Sequence, residues 1–162
     1  MHPRIVLLAV LTLGCSSGDR GQEAEADSGP VPVAVTLDEF RQLQWLAGTW
    51  LGSGGAYPAF YEEYRVVDDS TIQMRAFADS TLTTTTDSAW IELRSGTLGK
   101  RGSGRSYVVV AVSPDSIRFA PPGDSMGGHT FTRRSADEWT ATLHPSSPGG
   151  QATIYTMRRL QR

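Results

Sequence analysis

Cysteine, lysine and histidine are scarce in this chain, and each scarcity narrows what it can be. Its 162 residues hold one cysteine, Cys15. One cysteine excludes a disulfide core and any zinc site built on several thiolates. Positive charge rests on fourteen Arg and a single Lys, and the net charge is −2. Losing Arg4 with a signal peptide would take that to −3. There is no basic excess, so nucleic acid is not an expected partner. No apolar run approaches the roughly 20 residues of a membrane-spanning helix. No G-x-S-x-G, H-E-x-x-H or phosphate-loop order occurs, and no catalytic or metal-binding residues are expected. Glu62-Glu63 would point to opposite faces of a strand, so they do not form an acid/base pair. The chain is not expected to be an enzyme.

What is present begins with a short positive start, Met1 to Arg4, and an apolar run from Ile5 to Leu13. That run has the length of a signal-peptide core. It closes in Leu11-Thr12-Leu13-Gly14-Cys15. This resembles a bacterial lipobox, which implies cleavage before Cys15, lipidation of its thiol and anchoring in the bilayer. Ser16 after the cysteine implies the outer membrane. More than one acyl chain makes such an anchor stable, at about 0.8 kcal/mol per buried CH₂. An ordinary secreted protein is the alternative. Residues 16–35 are rich in Ser, Gly, Asp, Glu, Ala and Pro. They cannot bury enough surface to offset the entropy of ordering, so a disordered tether is expected, with a reach of about 25 Å.

The folded domain is expected over residues 36–162. Thr36-Leu37-Asp38-Glu39 has the form of a capping box, and Leu37, Phe40, Leu43 and Leu46 follow at helical spacing. A short helix should end near Gly48. From Thr49 the period falls to two. Phe60, Glu62, Tyr64 and Val66 share a face; Ile72, Met74 and Ala76 alternate with Gln73 and Arg75; Ala89, Ile91 and Leu93 alternate with Trp90 and Glu92. Strands also read at 106–112, 117–119, 129–134, 138–144 and 152–160. The Gly-rich, basic stretch 93–105 reads as a flexible hairpin loop. Regular short strands and tight turns predict an all-β fold: an antiparallel up-and-down β-barrel of about eight to ten strands with one short N-terminal helix.

A short helix followed by Gly48-Thr49-Trp50 resembles the calycin superfamily, whose Gly-x-Trp opens the first strand. The resemblance implies that Trp50 closes one barrel end beneath an arginine from the last strand, Arg158 or Arg159. The stretch Trp45 to Pro58 with Tyr61-Glu62-Glu63-Tyr64 resembles nitrobindin-like and lipocalin-like domains, and bacterial lipoproteins with a W-L-A-G-x-W opening. Nitrobindins bind haem through a C-terminal His. The matching segment Thr153 to Leu160 has none, so no cofactor is expected.

Candidate ligand-binding residues follow from strand phase. Glu62 on an inward face needs a buried partner, and Arg75 could supply it. Tyr64, Trp90 and Trp139 could line a cavity. His129 shares a face with Phe131; pointing inward, its neutral imidazole could hydrogen-bond or ligate a metal or haem iron. His144 is expected to face solvent. The expectation is a monomeric, lipid-anchored envelope protein on the periplasmic face of the outer membrane, its barrel binding a small apolar or amphipathic ligand. A haem protein and a structural or protein-binding module stand as alternatives.

Overall fold

A computed structural model describes residues 30–55, 57–123 and 126–161. Cys15 and the expected signal segment lie outside the described residues. The chain opens on α1 (Leu37–Arg41) and a 3₁₀ turn (Gln42–Leu46). Ten strands follow: β1 (Gly48–Ser53), β2 (Phe60–Asp68), β3 (Thr71–Phe77), β4 (Thr85–Arg94), β5 (Thr97–Gly102), β6 (Arg105–Ser113), β7 (Ser116–Ala120), β8 (His129–Arg133), β9 (Glu138–Leu143) and β10 (Thr153–Arg159).

The capping box forms as the sequence expects. Glu39 Oε2 accepts from the Thr36 amide at 2.8 Å, and Thr36 Oγ1 accepts from the Glu39 amide at 3.3 Å. The helix is short, and Phe40, Leu43 and Leu46 turn one face wholly into the core. Tertiary burial rather than length must therefore hold it.

Each strand pairs antiparallel with its sequence neighbour, and β1 pairs with β10 to close the barrel. Closure leaves no sheet edge for another chain to extend. Register fixes one inward face. Glu62 lies beside Ala76, and Ala76 beside Asp87. Ile91 lies beside Lys100, and Lys100 beside Tyr107. Phe119 lies beside His129, and Phe131 beside Ala141. A bulge between Val109 and Ala111 explains the nearly continuous apolar run of β6. It shifts phase, so Val109 is fully buried and Val112 also packs on the core.

Two departures from the sequence reading matter. Residues 95–105 are not a loop but hold strand β5 between two tight turns. Ser95-Gly96 and Ser103-Gly104 take positive φ at both positions, 49° and 77°, then 49° and 71°. That is the twist a two-residue hairpin needs. The second departure is at the start. Val33 and Val35 donate backbone hydrogen bonds to Val109 and Gly96, and Val35 is buried. The expected tether thus gives up its last residues to the barrel, because their β-branched side chains find apolar cover there.

The two barrel ends differ. The N-terminal segment and helix sit at the end with the tight β2–β3, β4–β5, β6–β7 and β8–β9 turns: Val35 bonds to Gly96, and Arg41 pairs with Asp69 at 3.6 Å. There Trp50, Leu43, Leu46, Ile72, Ile91, Leu98, Ile117 and Met157 fill the interior. The other end carries the longer connections at 78–84, 121–128 and 144–152.

Candidate functional site

A column of rings runs down the lumen. Trp45 meets Trp139 at 6.1 Å between centroids, Trp139 meets Phe131 at 4.8 Å, Phe131 meets His129 at 5.0 Å, and His129 meets Tyr107 at 4.9 Å. Phe119 stacks on His129 at 4.8 Å. The lower part of this column is plain core, capped by Trp50 edge-on to Trp139 at 5.9 Å. Such edge contacts suit the quadrupoles of the rings.

Above it the lining changes character. Tyr64 donates its hydroxyl to Glu62 Oε2 at 2.9 Å. The Lys100 ammonium lies 5.2 Å from the centre of the Phe131 ring. Among the described residues it makes no hydrogen bond and no contact ion pair. Protein surrounds both charged groups, yet Glu62, Lys100 and Tyr107 are only half-buried. His129 is 7% exposed, and its Nε2 has no hydrogen-bond partner among the described residues. Leu143, level with His129 and Thr153, is an exposed apolar side chain at the open mouth.

Burial sets the electrostatics here. It raises the Glu62 carboxyl above its usual range, opposed by Lys100 and the Tyr64 hydrogen bond. It lowers the Lys100 amine, opposed by Glu62 and by Asp87. Burial first, then Glu62, drives the Tyr64 phenol well up. His129 is pushed down to about 2 by burial and by the positive charges of Lys100, His144 and Arg118, so its imidazole is neutral.

The residues singled out from sequence fall in different places. Glu62, Tyr64, His129 and Trp139 face the lumen. Arg75 does not reach Glu62; it lies on the outer face of β3 and pairs with Glu63. Trp90 points outward, and the Arg101 guanidinium covers it at 5.4 Å. Ala89 and Ile91 take the inward phase instead, because their small and branched side chains fit between neighbouring strands. Trp90 and Arg101 line an open concavity of about 350 Å³ at the β5–β6 hairpin. Its Arg101 is already held by Glu92 at 2.6 Å, so it offers little unused bonding. His144 is half-buried on the outer wall, its Nε2 2.8 Å from Thr130 Oγ1.

The two arginines of the last strand separate cleanly. Arg159 lies 4.2 Å over the Trp50 ring and donates to the Ala47 carbonyl at 2.9 Å. Trp50 Nε1 donates to the Leu46 carbonyl at 2.8 Å. Gly48, at φ 134°, has no side chain because a Cβ there would collide with the Arg159 guanidinium. Arg158 points out to Glu138 at 3.3 Å. A cation over an indole contributes about 0.5–2 kcal/mol.

Lys100 was missed by the sequence reading, since it sat in a segment read as a loop. The signal was there: Leu98, Lys100 and Gly102 alternate between two Ser-Gly turns. Haem does not fit this arrangement. His129 Nε2 is enclosed by Tyr107, Phe119 and Phe131, all with centroids within 5.0 Å of the imidazole. A macrocycle could reach the nitrogen only by displacing those rings.

No family model and no curated protein matches the sequence. Among solved structures the chain is similar to a redesigned beta barrel, at 15% identity and a TM-score of 0.38, over 75% of this chain and 96% of that one.

Proposed function

We propose that this is a lipid-anchored, calycin-like protein of the bacterial envelope, and that the open half of its barrel binds a small amphipathic ligand. One observation carries the reading. Lys100 and Glu62 sit inside the barrel with bonding capacity that the described residues do not use. Burying charge costs several kcal/mol per ion unless it is compensated, and apolar residues of similar size would be more stable. A ligand head group held by Lys100 and Glu62 supplies that compensation. Its apolar part would lie along Tyr107, which is only half-buried. Ligand sites have this form, an apolar wall with a few convergent polar groups.

The test is a titration with N-phenyl-1-naphthylamine, whose fluorescence rises in apolar surroundings. Wild-type protein should show saturable, one-site enhancement. Ala76→Trp, which fills the lumen beside Glu62, should abolish it. Ala111→Trp, on the exposed outer face, should leave it unchanged. Equal enhancement in all three, or none in wild type, would contradict lumen binding and favour a structural module. The anchor is tested separately: Cys15→Ala should release the protein from membranes, and retention there would overturn the lipoprotein reading.

A further inference from the structure

We propose that Lys100 is a covalent attachment site, where the lumen takes up an apolar aldehyde as an imine on the lysine side chain. The inference rests on the ligand-binding reading above and names the class of ligand chemistry. It begins with an asymmetry of composition. The chain uses arginine fourteen times and lysine once, and that one lysine faces the barrel interior. A guanidinium would serve as well or better for binding a carboxylate, because its fork is pre-organised. What a lysine offers and an arginine does not is a nucleophilic amine.

The surroundings suit that use. Lys100 lies between Ile91 and Tyr107 in register and over the Phe131 ring. Among the described residues no acceptor holds its ammonium. Enclosure lowers its proton affinity, which favours the neutral amine. The titratable groups that act on it are Glu62 from β2 and Asp87 at the rim of β4, and it acts in turn on His129 from β8. Glu62 is held in place by Tyr64 from its own strand.

The step balances without oxidant or reductant. Nζ bonds to the carbonyl carbon and the C–O bond breaks; the oxygen leaves as water with one amine proton and one proton from the Glu62 carboxyl, and the second amine proton stays on the imine nitrogen. Glu62, its carboxyl raised by burial, is placed to relay a proton to the departing oxygen. As a carboxylate it then faces the protonated imine as counter-ion. The aromatic wall keeps water from reversing the condensation.

The experiment uses the full chain with octanal and cyanoborohydride, which traps imines irreversibly, and reads the adduct by peptide mass spectrometry. At pH 7 the Lys100 peptide should label faster than in the urea-unfolded chain, by about tenfold for each unit by which its pKa is lowered. The folded rate should level off at a lower pH than the rate in the unfolded chain, and Glu62→Gln should slow it. Displacement of N-phenyl-1-naphthylamine by 1-octanol is measured alongside, since the alcohol cannot form an imine. Displacement by octanol with Lys100 labelled no faster than in the unfolded chain overturns the imine inference and leaves lumen binding standing. Absence of both naphthylamine binding and labelling overturns the two together.

Discussion

The two halves of this barrel are built from the same ten strands and the same alternation, yet they put opposite things inside. At the helix end the inward positions are Trp50, Ile72, Ile91, Leu98, Ile117 and Met157, all buried to within 1% exposure. Toward the other end β2, β5, β6 and β8 turn in Glu62, Lys100, Tyr107 and His129. The first half is a core that closes on itself, and it holds the helix and the Arg159–Trp50 clamp. The second keeps charge and a lone imidazole nitrogen where apolar side chains would be more stable. The difference teaches that closure of the barrel is already secured by one end. The other end is therefore free to carry groups that cost stability.

Four substitutions or conditions can break or sharpen that comparison. The largest effect belongs to the packed half. Trp50→Ala removes a fully buried indole, its hydrogen bond and the seat of Arg159, and should cost about 3–5 kcal/mol in urea unfolding. A loss under 1 kcal/mol would mean that this end is not the stabilising one.

Next is the response to acid. His129 has a folded value of about 2, far below the ordinary 6.5 or so of an exposed imidazole. Above about pH 6.5 it is neutral in both states and its contribution is complete. As pH falls below that, the unfolded chain takes up a proton that the folded chain refuses. Stability should then fall by up to about 1.4 kcal/mol per unit, or about 2.7 kcal/mol by pH 4.5. Glu62 works the other way, because its raised value lets the folded state bind a proton first. The contribution of His129 is therefore read as the difference in slope between wild type and His129→Phe. Parallel pH curves would remove His129 from the account.

The third concerns the polar layer. The double variant Glu62→Gln with Lys100→Met should be more stable than wild type by about 1–3 kcal/mol at pH 7 and should lose naphthylamine binding. A loss of stability would show that the pair belongs to the core rather than to a site. The smallest effect separates neighbours: Arg159→Met should cost about 1–2 kcal/mol, through the lost cation–π contact and hydrogen bonds. Arg158→Ala, on an exposed ion pair, should cost less than about 0.5 kcal/mol.

The packed end was far more legible in the sequence than the open one, and the reason is locality. The capping box, the helical spacing of Phe40, Leu43 and Leu46, and the Gly48-Thr49-Trp50 turn into β1 all lie within fifteen residues. Strand alternation in β2 to β4 was equally plain. Strand β5 was hidden because its glycines resemble a loop until the paired Ser-Gly turns are seen as hairpins. With β5 hidden, Lys100 was hidden too. Arg75 was expected opposite Glu62, but register places Glu63 beside it on the outer face. Which of two alternating sets turns inward on β4 depends on what faces it across the barrel, and Trp90 finds its cover from Arg101 outside. Such facts belong to pairs of strands and cannot be read from one.

Because Lys100 is the sole lysine, protein labelled with [¹⁵N]lysine should give a single backbone amide peak in a ¹H–¹⁵N correlation spectrum. Adding 1-octanol to that sample tests the open half directly. A saturable shift of the Lys100 peak, absent in Ala76→Trp, is the expected result. A peak that stays in place through saturating octanol would contradict the claim that this half of the barrel is a binding site.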